Sequence, residues 1–345
     1  MSARRTYWHL SALGRKPSEY DIASSQLLYH TQRGFEVRTP VSAWIDRYQG
    51  GSALRSSAWE SFRDPRLTTY ASYVALQRKQ EIYLDGVLAA ETRADAADLP
   101  GEWVRNLDQW LGTLRFPVHG LQMVAAYLGS IAPSGKVAIA AAFQAADEVR
   151  RIQRLTQRMA QLEHSHRGFG HEARSAWQHA PAWQPLRELI ERLLVAYDFG
   201  EALVVLNALV KPCFDGLFMH DLAERARAQH DDTLHKLLGS LYADCTWHAQ
   251  WSAALLALVA GEGDNRAAMA GWLERWRPRV AAALAPLVPL LDRLENLESG
   301  PSSAREDAGS LVRRCADRVH ADPAWLAGSA ASASAPLPPN EQARS

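Results

Sequence analysis

The feature that most constrains this chain is helical patterning that runs almost without a break from about residue 66 to 297. Apolar side chains recur there at spacings of three and four, as in LTTYASYVALQRKQEIYLDGVLAAE and PLRELIERLLVAYDFGEALVVLNALV. That spacing turns one face of a 3.6-residue helix towards a core. Helix-ending residues interrupt it at Pro100-Gly101, Pro133-Ser134-Gly135, Gly168 to Gly170, Pro181, and Gly261 to Gly263. No run alternates apolar and polar residues between turn signals, which is how a half-buried strand would read. The chain is predicted to be all-α.

Residues 1–60 follow a different pattern. Pro17, Pro40 and Gly50-Gly51 break them up, and Tyr7, Trp8, Tyr20, Tyr29, Trp44 and Tyr48 are scattered among polar residues. This reads as an extended, partly irregular arm whose aromatics must be covered by this chain's own body or by another subunit. Residues 61–300 read as the helical domain. Residues 301–345 read as a short helix and then a disordered tail, AGSAASASAPLPPNEQARS, which is small, polar and proline-bearing.

Lysine plus arginine and aspartate plus glutamate both total 38, so the formal charge is zero. A surface built for phosphate backbones or anionic lipid needs clustered positive charge, so neither partner is expected. Cys213, Cys245 and Cys315 lie far apart with no Cys-x-x-Cys pair, which predicts a reduced, cytoplasmic protein without a disulfide framework. The N-terminus has no apolar core of signal-peptide length. No run of about 18 uncharged apolar residues is present, so no membrane span is expected. The richest apolar tract, AAALAPLVPLL, is cut by Pro286 and Pro289. Twelve tryptophans are many for 345 residues, and tryptophan is enriched in protein interfaces.

One stretch, AADEVRRIQRL, raises a metal question. Asp147-Glu148-Val149-Arg150-Arg151 has the frame Asp-Glu-x-Arg-His found on di-iron helices, with arginine in the histidine position. At 100° per residue, Glu148 falls in the middle of a stripe made by Val137, Ala141, Ile152, Leu155, Met159 and Leu162, and Arg151 at its edge. On a helix drawn from about 186 to 208, Glu201 falls near the centre of the stripe Leu186, Ile190, Leu193, Leu194, Tyr197, Val204 and Ala208. Two inward carboxylates need partners. Ferritin-like bundles supply them as metal ligands, with Glu-x-x-His on two helices and one glutamate from each of two others. Here Arg151 follows Glu148 and Val204 follows Glu201, and neither side chain offers a lone pair to a metal. The positions Glu148, Arg151, Glu201 and Val204 therefore read as a vestigial site in which a guanidinium neutralises a carboxylate. The competing reading is a chance amphipathic helix with Glu148 reaching solvent. Glu81 and Gln122 are the only loose candidates for completing a metal set.

Other signals are weaker. Glu163 and His166 form a Glu-x-x-His at a glycine-bounded helix end, and His164, His166 and His171 read as a polar turn. Cys245 and His248 are three apart on a helix, a weak zinc signal without a second such pair. No dinucleotide fingerprint, phosphate-binding glycine loop or Gly-x-Ser-x-Gly is present, so no catalytic or cofactor-binding residue is nominated.

Several ordered blocks resemble a known family. YWHLSALGRKPSEYDIASSQLLYH (7 to 30) is similar to its opening Trp-x-His-Leu, Pro-Ser-Glu-Tyr and Leu-x-Tyr. FRDPRLTTYASYVALQRKQEIYLDGV (62 to 87) is similar to its Asp-Pro-x-x-x-x-Tyr-x-x-Tyr helix. LQMVAAYLGSIAPS, WQPLRELIERLLVAYDFGEALVVLNALVKP and NRAAMAGWLERWRP match later blocks. The chain resembles the β subunit of the hydroxylase component of bacterial multicomponent di-iron monooxygenases, in the toluene and alkene monooxygenase branch. The resemblance implies a ferritin-like (ribonucleotide-reductase-like) bundle without metal ligands of its own. It implies a paralogous α subunit holding the di-iron centre and hydrocarbon pocket, a γ subunit, and an (αβγ)2 assembly. It also implies an effector protein, a Rieske ferredoxin, and a reductase using FAD and NADH. The arm would then lie over the α subunit, with Trp8, Tyr20 and Trp44 as interface anchors. Two other readings stand beside it: a free-standing metal-dependent helical oxidoreductase, and a helical scaffold outside oxygen chemistry. The hydrocarbon itself is left open, from toluene to a short alkene.

Overall fold

In a computed structural model of the chain, the described residues are 7–28, 30, 34–289, 303–324 and 326, with backbone only for 303–310. The tail from 327 and Tyr29 lie outside them. Among the described residues there is no strand. The principal helices are α1 (Glu19–Ser24), α2 (Pro40–Ile45), α3 (Tyr70–Ala90), α4 (Gly101–Asp108), α5 (Arg115–Ser130) and α6 (Gly135–Ser165). They continue with α7 (Gln184–Leu194), α8 (Phe199–Ala228), α9 (Asp232–Val259), α10 (Asn265–Leu284) and α11 (Ser303–His320).

Local chemistry sets the helix starts. The Thr69 and Ser134 hydroxyls accept from the Ser72 and Val137 amides, and the Asp198 and Asp231 carboxylates accept from those of Glu201 and Leu234. Each satisfies an amide that the first helical turn leaves open. His230 adopts φ 60°, and this left-handed residue lets α8 turn directly into α9. One helix was expected across 186–208, but the structure breaks it. α7 ends at Leu194, and Asp198 starts α8 in a new phase.

α8 is the central core helix. By length and composition it could cross a membrane, yet 89% of its most apolar window is buried inside this protein. Two π-helical segments, Leu206–Val210 and Gly216–Asp221, interrupt it, each surrounded by buried side chains. α6 has 31 residues and so is about 46 Å long. It packs between α5 and α9, and α9 also contacts α3 and α8.

The arm is not extended over its described length. A 3-10 turn (Trp8–Leu13), α1 and α2 fold back onto the body, and Leu10, Tyr20, Ile45 and Leu54 are buried. Asp21 is paired with Arg15 (2.7 Å) and Arg63 (2.6 Å). The Tyr20 hydroxyl accepts from the Asp64 amide at 3.0 Å, so this ring is used inside the chain rather than offered to a partner. Trp44 is partly exposed. Its indole N–H donates to Tyr127 Oη at 3.0 Å, and its ring meets Tyr48 at a tilt and Tyr197 edge to face. Trp8 is 75% exposed.

Candidate functional site

The interior between α3, α6, α8 and α9 holds a dense set of charged side chains. Because α6 is unbroken, its periodicity turns Glu148 and Arg151 inward together, and they are 0% and 1% exposed. Arg151 Nη1 lies 3.1 Å from Glu148 Oε2 and donates to Asp215 Oδ1 on α8 at 2.8 Å. The same guanidinium faces the Cys245 thiol on α9. Lys211, also on α8, donates to Glu148 Oε1, and its Nζ is 3.0 Å from Asp215 Oδ2. His248 Nδ1 is 3.9 Å from Glu148 Oε1, and His248 Nε2 is 3.0 Å from Asp147 Oδ2. Asp147 Oδ1 accepts from Tyr73 (2.7 Å) and Gln77 (2.8 Å) on α3.

The second three-residue pair facing Glu148 and Arg151 is therefore Cys245 and His248 on α9. Glu201 and Val204 do not join it. The Glu201 carboxylate is half-buried, accepts from Trp276 Nε1 at 2.7 Å and lies 3.5 Å from Arg275. Lys211 is ten residues further along α8, about 15 Å at 1.5 Å per residue. Val204 is an apolar core residue. The helical break at 195–198 accounts for the difference, because a wheel drawn through it carries the wrong phase. Glu81 is engaged with Arg150 (2.6 Å) and Arg154, and Gln122 is half-buried on α5. Lys211 and Asp215 were not nominated from the sequence. Their signal was a lysine and an aspartate four apart on one face of the otherwise apolar LVVLNALVKPCFDGLF.

A ladder of arginines extends the cluster along α6. Arg150 donates to Asp244 at 2.7 Å, Arg154 to Asp85 at 2.7 Å, and Arg158 to Asp231 at 2.7 Å and to Glu91. Four-residue spacing points all three to one side, where they tie α6 to α3 and α9.

Burial and neighbouring charges shift the titrating groups of this cluster in opposite directions. Burial works against a charge on Lys211, but Asp215 and Glu148 outweigh it and raise its pKa. Burial also works against Arg151, and Glu148 and Asp215 overcome it; Cys245 would add to them only as a thiolate. Burial pushes the Cys245 thiol well above its usual range, so it stays protonated. His248 is held well below 6.5 by burial and by the Lys211 and Arg151 cations, so it is neutral. Asp215 is lowered; burial opposes this, but Lys211 and Arg151 win. Burial and neighbouring Asp244 push Asp147 well above 3.8. The four carboxyls Asp147, Glu148, Asp215 and Asp244 face the three cations Arg150, Arg151 and Lys211.

This donor set does not fit a di-metal centre. The carboxylates are already neutralised by a guanidinium and an ammonium, which have no lone pair to give. His248 Nδ1 faces a carboxylate that the Lys211 ammonium and the Arg151 guanidinium already flank. Among the described residues, no group of three or more histidine, cysteine, aspartate or glutamate side chains is arranged to hold a metal ion.

Comparison with known proteins agrees with this architecture. The sequence profile described as methane/phenol/alkene hydroxylase matches residues 42–263. The chain is 32% identical over 295 residues to the toluene-4-monooxygenase system hydroxylase component subunit beta of Ectopseudomonas mendocina, covering 83% of this chain and 90% of that one. It is 23% identical over 242 residues to the alkene monooxygenase system oxygenase component subunit alpha of Xanthobacter autotrophicus, covering 68% of this chain and 48% of that one. A chain in the solved structure of toluene-bound resting toluene 4-monooxygenase superposes with a TM-score of 0.79 at 31% identity, covering 84% of this chain and 98% of that chain. The all-α, ferritin-like bundle is the fold of these hydroxylases. By sequence and by fold, the chain belongs to the methane/phenol/alkene hydroxylase family, whose members are components of monooxygenase systems.

Proposed function

We propose that this chain is the non-catalytic β subunit of the hydroxylase component of an NADH-dependent multicomponent monooxygenase that oxygenates aromatic or alkene hydrocarbons. The observation that carries this reading is the pair of helical i, i+3 sets, Glu148–Arg151 and Cys245–His248, facing each other around the Lys211 ammonium. Side-chain cations stand where a metal-binding bundle would place metal charge, so the bundle keeps its geometry without redox chemistry. The di-iron centre then belongs to a larger α subunit, and a γ subunit completes an (αβγ)2 assembly. An effector protein, a Rieske ferredoxin and an FAD reductase deliver electrons from NADH. Three buried free cysteines support a cytoplasmic location.

Reconstitution tests the reading. The larger subunit, γ subunit, effector, ferredoxin and reductase should oxidise toluene or an alkene only when this chain is also present. Full turnover without it, or turnover by this chain without the larger subunit, would overturn the proposal.

A further inference from the structure

We infer that the outer face of α3, with the adjoining edge of α9, is the seat of an acid-bearing helix of the larger hydroxylase subunit; this rests on the β-subunit reading above. α3 inverts the usual surface helix. Of its 21 residues only Leu84 and Leu88 are buried. Its body-facing side is tied down by polar groups: Tyr73 and Gln77 to Asp147, Gln80 to Asp244 and Ser240, and Glu81 to Arg150 and Arg154. Outward it presents Leu76, Ile82 and Tyr83, with Ile82 62% exposed. A surface helix ordinarily places its apolar residues inward, and an outward apolar face marks a surface that another chain covers.

Two mid-helix glycines point the same way. A Cβ at Gly86 on α3, or at Gly239 on α9, would meet nothing within 4 Å, and neither has a positive φ. Alanine would serve this chain better at both positions, whereas glycine lets a second backbone come close. Gln77 and Gln80 reach α9, so the two helices lie side by side and present these glycines on neighbouring exposed stretches.

Charge selects the occupant. Arg78 and Lys79 are exposed on the outer side, while Glu81 and Asp85 are taken up by the arginines of α6. A second copy of this chain packed two-fold on the same face would oppose like charges. A helix carrying carboxylates complements the face instead. The similarity to an alpha subunit means that a larger partner of the same fold can bring an equivalent helix to it.

The test co-expresses the tagged larger subunit with wild-type chain, Ile82→Lys, Gly86→Ala, and Val312→Lys as an exposed apolar control on α11. We expect capture of Ile82→Lys to fall to about a tenth of wild type or less, a single tenfold step in affinity. Its own melting temperature should not change, and Val312→Lys should be captured normally. Gly86→Ala should melt higher alone and be captured less well, a combination that a purely structural role would not give. Wild-type recovery of Ile82→Lys overturns the inference and leaves the β-subunit reading standing. A wild-type dimer of this chain alone that Ile82→Lys disperses replaces the occupant with a second copy, and so also overturns it. Failure of the wild-type chain to be captured overturns the β-subunit reading itself.

Discussion

At the residue scale, Arg151 links both carboxylates that Lys211 also touches. Its removal leaves Glu148 and Asp215 sharing one ammonium in a dry interior. Arg151→Ala should therefore lower unfolding free energy by about 3–5 kcal/mol in urea denaturation, the usual cost of breaking a buried ion pair. A loss of a few tenths of a kcal/mol would show that the pair carries no stability. His248 gives a pH signature. It is neutral in the folded chain, held well below 6.5 by burial, Lys211 and Arg151. The unfolded chain takes up that proton as pH falls through about 6.5, so it binds more protons than the folded one. Stability attributable to His248 should then fall towards acid by about 1.4 kcal/mol per pH unit. His248→Gln should lack this limb in stability measured against pH; an unchanged profile would contradict the assignment. Glu148 was legible from sequence because α6 is long and unbroken. Lys211 was not, because a lone lysine in an apolar run reads equally well as a surface excursion.

At the element scale, the lesson concerns helix phase. Spacing and breakers give the existence of α3, α6, α8 and α9, but Asp198 resets the register that a continuous wheel through 186–208 assumes. Glu201 thereby moved from an expected inward position of the vestigial site to a partner of Trp276. The orientation of α3 was also hidden. Its buried side is held by tyrosine, glutamine and glutamate rather than by leucine, so apolar spacing alone could not say which face looks inward. The start of α8 is fixed by close approach. A Cβ at Gly200 would come within 2.5 Å of Leu54 Cβ, 2.7 Å of Trp272 Cη2 and 2.8 Å of Ser52 Oγ. Gly200→Ala should destabilise the chain by about 1–3 kcal/mol through overpacking, measured by thermal or urea unfolding. Unchanged stability would mean that residues 52–54 move aside freely.

At the scale of the whole molecule, the all-α class and the helical extent from about 66 were readable from periodicity and breakers. The conduct of the arm was not, since prolines and scattered aromatics look alike whether they cover their own body or a neighbour. Tyr20 and Leu10 turned out to be internal, which leaves Trp8 as the most exposed aromatic of the described arm. Trp8→Ala should change the chain's own stability by no more than about 0.5 kcal/mol while weakening capture by the larger subunit. Equal capture would remove Trp8 from the interface. The central claim is that side-chain cations replace metal charge in this bundle, so that the chain contributes architecture and not oxygen chemistry. The most direct test is elemental analysis of the chain purified alone from iron-replete cells. The account predicts far less than one iron per chain and no gain on anaerobic incubation with ferrous iron. One or two tightly held irons per chain would contradict it.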